Sequence, residues 1–111
     1  ADLTRALELN ALRFSSWSDR AAVRRYLALR TEEPVAREHL LKQVVQDGTQ
    51  ALRLNPNWAE TLHVRGHAFL DLGRAEEALQ DFRRCRELDP RGPAELDRDM
   101  AAAERLLEPK R

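Results

Sequence analysis

At 111 residues the chain has room for one compact domain or a short helical array, and strand signals are scarce: aromatic residues make up 5%, with few β-branched runs, while Ala, Leu, Glu and Arg abound. Lys plus Arg and Asp plus Glu are both 19, so the formal net charge is zero and no overall basic field favours nucleic acid. No apolar run approaches a membrane span and no signal-peptide pattern is present; the single Cys85 has no partner within the chain for a disulfide, which fits a reducing, cytoplasmic setting.

In chain order, Asp2 to Asn10 reads as a helix with Leu3 and Leu7 on one face, followed by Leu12. It reads as the second arm of a hairpin whose first arm lies outside the sequence, so the chain is expected to be a fragment or a processed product. Its apolar edge is expected either to pair with another copy or to fold back onto the helix of Trp17. Phe14 to Arg30 forms the next helix. Thr31-Glu-Glu-Pro34 then breaks the chain, with proline suited to the first turn of a new helix and acidic residues near its positive end. That helix runs from Pro34 to Leu54 and stops at Asn55-Pro56, because proline disfavours helical geometry in the residue before it. A helix from Ala59 closes at Leu72-Gly73-Arg74, where glycine suits the left-handed position after a helix end. Another runs from about Ala75 to Asp89-Pro90. The last, within 93–108, carries the stripe Leu96, Met100, Ala103, Leu107, with Asp97, Arg98, Glu104 and Arg105 facing away, and is expected to cap the array.

These elements repeat. Asp47-Gly-Thr-Gln-Ala51-Leu-Arg-Leu-Asn-Pro56 has the grammar of Asp81-Phe-Arg-Arg-Cys85-Arg-Glu-Leu-Asp-Pro90, 34 residues on. A third copy, Ala6-Leu-Glu-Leu-Asn10-Ala11, lies 45 residues before Ala51-Leu-Arg-Leu-Asn55-Pro56, which implies 11 inserted residues. A fixed period of this length marks a helical solenoid. Small residues, Ala21, Gly66, Ala78 and Cys85, stand where paired helices approach. Leu62, Phe69, Leu79 and Phe82 fill the space between, and Cys85 is expected to be buried and inert.

Counted from Ala59, Leu62, Gly66, Phe69, Ala78, Phe82, Cys85 and Pro90 fall at places 4, 8, 11, 20, 24, 27 and 32, and in this the segment closely resembles the tetratricopeptide repeat family. Counted from Phe14, Trp17 and Ala21 also match, whereas Arg24 replaces the usual aromatic at place 11 and Gly48 the large residue at place 24. The resemblance implies an all-α, antiparallel helix-hairpin solenoid: a partial repeat over 1–12, a long repeat over 14–56 whose insertion makes a projecting finger, a regular repeat over 57–90 and a capping helix over 93–108.

The resemblance further implies a protein or peptide ligand on a concave face lined by first helices, here at Ser15, Ser18, Asp19, Ala22, Arg25 and Tyr26, and at Glu60, His63, Val64, His67, Leu70 and Asp71. The run Trp17-Ser-Asp-Arg-Ala-Ala-Val23 looks like the middle repeat of the co-chaperone subgroup that grips a heat-shock protein's terminal carboxylate. Yet Asp19 stands at that clamp's Asn place, and Glu60 and Val64 at its Lys and Arg places. Two acids and a valine cannot hold a carboxylate. The expected function is therefore an adaptor or scaffold, co-chaperone-like but without the clamp, binding a basic or apolar partner through Asp19, Tyr26, Glu60, His63, His67 and Asp71. A self-association module and a regulatory domain of a larger enzyme are the alternatives.

No chemistry is expected. His63, His67 and Asp71 share one helical face at i, i+4 and i+8, but Val64 follows His63 where a metalloprotease motif has its glutamate. His39 stands alone, the four glycines are dispersed, and the carboxylates fall at helix-surface spacings such as Glu76 near Gln80 and Arg84. No catalytic residue, cofactor, metal, nucleic acid or membrane is assigned.

Overall fold

The computed structural model describes residues 3–109, and their side chains from residue 16 onward. Five helices follow in order: α1 (Leu3–Arg30), α2 (Pro34–Leu54), α3 (Ala59–Asp71), α4 (Ala75–Leu88) and α5 (Leu96–Leu107), with no strand among the described residues. The hairpins α1/α2 and α3/α4 stack through α2 against α3, and α5 lies on α4 and touches α3. The result is an all-α array of helix hairpins, 61 × 33 × 21 Å in extent.

The helix ends follow local chemistry. Pro34 opens α2, and Glu33 caps it by accepting from the N–H groups of Val35 and Ala36 at 3.1 and 2.7 Å. At the end of α3, Gly73 takes φ 79°; its N–H donates to the Leu70 carbonyl and that of Arg74 to the Phe69 carbonyl, the paired closure of a Schellman motif. A Cβ on Gly73 would meet nothing within 4 Å, so the demand for glycine is purely conformational. Gly73→Ala is therefore expected to cost about 1–2 kcal/mol, measured by urea unfolding. A cost near zero would mean that the turn relaxes to another geometry.

One expected boundary is absent. The helix expected before residue 13 and the one expected from Phe14 are a single helix, α1, because Ala11 stands where the later repeats have proline and nothing between Leu3 and Arg30 breaks the hydrogen-bond ladder. The edge expected at Leu3, Leu7 and Leu12 lies outside the described side chains. In α5, Leu96 and Ala103 are buried and Met100 packs against them, but Leu107 is 44% exposed, on the last turn beyond the contact.

The core forms as expected around Leu62, Phe69, Ala78, Leu79, Phe82 and Cys85, joined by Leu52, Leu96 and Ala103. A second cluster of Ala21, Ala28, Leu41, Val44 and Ala68 joins the first hairpin to α3. Gly66 is where the α3/α4 pair is tightest: a Cβ there would lie 2.6 Å from Phe82 Cε1.

Each hairpin is also stapled by a buried ion pair. Asp47, 1% exposed, accepts from Arg20 Nη2 at 2.8 Å and Nε at 3.2 Å and from Arg24 Nη1 at 2.7 Å. Asp81 accepts from Arg65 Nε and Nη2 at 2.8 and 2.7 Å; burial pushes its carboxyl up from the ordinary value, and the Arg65 fork pulls it part of the way back. Asp47 and Asp81 are 34 residues apart, and Arg20 and Arg65 stand at the same place when counted from Phe14 and from Ala59, so the two hairpins carry the same kind of staple. It also gives Arg24 and Gly48 their surroundings. Arg24 reaches the buried Asp47, and the Arg65 stem lies over Gly48, where an added Cβ would sit 3.2 Å from Arg65 Cβ. Arg65 Nη1 also donates to Thr49 Oγ1 at 3.3 Å, tying the two hairpins together.

The first hairpin is longer than the second: α2 has 21 residues and α4 has 14. Between its tip and the end of α3 lies an open cleft of about 380 Å³ lined by Glu32, Pro34, Arg37, Glu38, Leu41, Asp71 and Leu72.

Candidate functional site

The face formed by α1, α3 and α5 is held by polar contacts between neighbouring helices. Ser18 on α1 and Thr61 on α3 share a hydrogen bond of 3.1 Å. Further along, His63 and His67, one turn apart on α3, both direct Nε2 to the same oxygen, Oδ2 of Asp99 on α5, at 2.9 and 2.7 Å. A carboxylate only accepts, so in this arrangement both imidazoles donate from Nε2. Their rings meet edge to face at 4.6 Å between centroids, and the Phe82 ring lies 5.9 Å from His63 and 5.6 Å from His67. Burial, and next the Arg25 charge facing it from α1, hold His67 below the ordinary histidine range, with Asp99 pulling the other way. Arg25 Nε is itself buried and has no hydrogen-bond partner.

Of the six expected partner-binding residues, the structure brings His63 and His67 together and closes them against Asp99. Glu60 is exposed at the start of α3, and Asp19 is exposed on α1. Tyr26 is 55% exposed, with the Arg30 guanidinium 4.4 Å over its ring. Asp71 sits apart, in the cleft it lines with Glu32, Pro34, Arg37 and Glu38. Asp71 is thus not the third member of the histidine face; Asp99 takes that place. Arg84, expected near Glu76, bonds Glu87 and Asn57 instead.

Asp99 is the residue that sequence reasoning missed, and the signal was present. It lies inside the apolar stripe of α5, three residues after Leu96 and four before Ala103, where a carboxylate has to find a partner on the helix it packs against. Cys85 is buried, and burial raises its thiol further from the reactive range.

Residues 59–91 match the tetratricopeptide repeat family, over the same segment that carries the regular place pattern and forms α3, α4 and the turn after them. No curated protein matches the chain. The array therefore contains a tetratricopeptide repeat, and such repeats are in general modules of protein–protein interaction and typically non-enzymatic. No helix among the described residues is long and apolar enough to cross a membrane.

Proposed function

We propose that the protein is an adaptor that binds a partner protein or peptide across its first helices, with Asp19, Tyr26, Glu60 and Asp71 as exposed contacts and His63 and His67 as the wall beside them. The observation that carries this reading is the exposure of these groups: Asp19, Glu60 and Asp71 are exposed, and on α1 Asp19, Val23, Tyr26 and Leu27 fall at i, i+4, i+7 and i+8, the last three being 58%, 55% and 46% exposed. Exposed aromatic and aliphatic groups with acids beside them suit a partner segment of mixed apolar and basic character. The role is scaffolding, co-chaperone-like in kind and cytoplasmic in setting. The same apolar stripe favours a second reading, self-association through α1, which sedimentation at several concentrations separates from the first.

The test is chemical-shift mapping with basic-apolar peptides selected from a library. Shifts at Tyr26, Glu60 and Asp71, with binding weakened roughly tenfold by Tyr26→Ser and Glu60→Lys, support the reading. Shifts confined to the finger around Thr31 to Gln46 reject it.

The missing clamp leads to a separate expectation. Calorimetry with an acidic C-terminal heat-shock peptide should show no saturable heat at micromolar concentrations, and the triple change Asp19→Asn, Glu60→Lys, Val64→Arg should move binding toward detection. Tight binding by the unaltered chain rejects this reading of the groove.

A further inference from the structure

We propose that His63, His67 and Asp99 form a zinc(II) site that fastens α5 to α3. Two histidines at i and i+4 project their ring nitrogens from one side of a helix, which is the spacing by which helices chelate zinc. The third donor comes from a different helix, and the three ligand atoms lie within 4.8 Å of one another. Two imidazole nitrogens and one carboxylate oxygen are a borderline donor set that suits zinc better than calcium or magnesium, which take oxygen ligands.

The donors are grouped for the ion, and side-chain rotation has to complete its geometry. Zinc bonds of about 2.0–2.2 Å in a tetrahedral arrangement place ligand atoms about 3.3 Å apart. The two nitrogen–oxygen separations here are 2.9 and 2.7 Å, while the two ring nitrogens lie within 4.8 Å of each other, so to admit the ion the carboxylate has to retreat by about half an ångström and the imidazoles have to swing toward each other by up to about 1.5 Å. Each neutral ring moves its proton from Nε2 to Nδ1 and binds through the freed lone pair; a protonated ring releases one proton to solvent. The site is sheltered without being sealed. The side chains of His63, His67 and Asp99 are 14%, 16% and 8% exposed, the Phe82 ring packs against both imidazoles, and water completes the fourth position. Arg25 faces His67 and opposes the incoming positive charge, which limits affinity and gives the site a distinctive property: removing Arg25 strengthens it.

Such a site is a fastening for the C-terminal helix. Its ligands are split between α3 and α5, so bound zinc couples the capping helix to the tetratricopeptide repeat. This goes beyond adaptor binding, and neither reading needs the other.

The experiment is a titration of the intact chain with zinc(II) alone at pH 7.5, read by competition with a chromogenic chelator and by thermal unfolding. The expected result is one equivalent bound, with the thermal midpoint raised by roughly 5–10 °C at a hundredfold excess of free zinc over Kd. His63→Gln and His67→Gln, with folding checked by circular dichroism, are expected to weaken binding at least tenfold, roughly the minimum that outer-shell changes alone cost. Arg25→Ala is expected to tighten it several-fold, and the exposed His39→Ala to leave it unchanged. Where a variant does not fold, zinc-edge X-ray absorption of the unaltered chain decides: two imidazoles with oxygen ligands support the site, and a sulfur ligand or a single imidazole overturns it. No saturable binding at micromolar zinc, or folded glutamine variants that bind as the parent does, overturns it as well.

Discussion

Gly66→Leu is expected to lower stability by about 3 kcal/mol and the thermal midpoint by roughly 10 °C. A Cβ at this position would lie 2.6 Å from Phe82 Cε1 and 2.8 Å from Cδ1, closer than van der Waals contact allows, and 3.3 Å from Asp81 Cβ. Phe82 cannot yield cheaply. Its side chain is fully buried, and its ring packs against those of His63 and His67, which are tied to Asp99. Gly66→Ala should show the conflict in milder form, because the helix gains about 1 kcal/mol when glycine becomes alanine, offsetting part of the clash. Gln80→Ala, on the exposed face of α4, is expected to stay within about 0.5 kcal/mol. Unchanged thermal unfolding of Gly66→Leu would mean that α3 and α4 do not meet through this residue.

Asp47→Ala is expected to cost about 3 kcal/mol, read from urea unfolding. Asp47 is 1% exposed and holds both Arg20 and Arg24, so its loss leaves the Arg24 guanidinium, 26% exposed, in a hairpin interior without its anion. The value falls at the low end for a broken buried pair because both arginines keep some access to water. Replacing Arg24 and Asp47 together by leucine is expected to recover part of the loss, since two apolar groups carry no desolvation penalty, and a double-mutant cycle measures that coupling. For contrast, Arg74 and Glu77 form a shorter pair at 2.6 Å but are 50% and 43% exposed, and Glu77→Ala is expected to cost no more than about 0.5 kcal/mol. Equal costs for Asp47→Ala and Glu77→Ala would show that burial does not set the strength of these pairs.

The parts of this protein legible in the sequence are those governed by chemistry within a few residues. Pro34, Gly73 and the Asn55-Pro56 and Asp89-Pro90 steps each fix a helix end through φ, a missing N–H or a steric clash with the residue before, and all four ends fall where those residues place them. The 34-residue period and the small residues Ala21, Gly66 and Ala78 specify which surfaces approach, because backbones can come close only where side chains are absent. The same rule explains the one boundary that misled: Asn10-Ala11 copies Asn55-Pro56 in every respect except the residue that stops a helix, so α1 runs through it. Tertiary structure alone decided which polar residues are partners. Asp99 meets His67 across 32 residues and His63 across 36, and Arg20 meets Asp47 across 27. A charged residue at a helix-surface spacing reads the same whether water or another helix lies against it. The angle and register at which helices stack decide between the two, and those are set by the summed packing of the core rather than by the neighbours of any one residue.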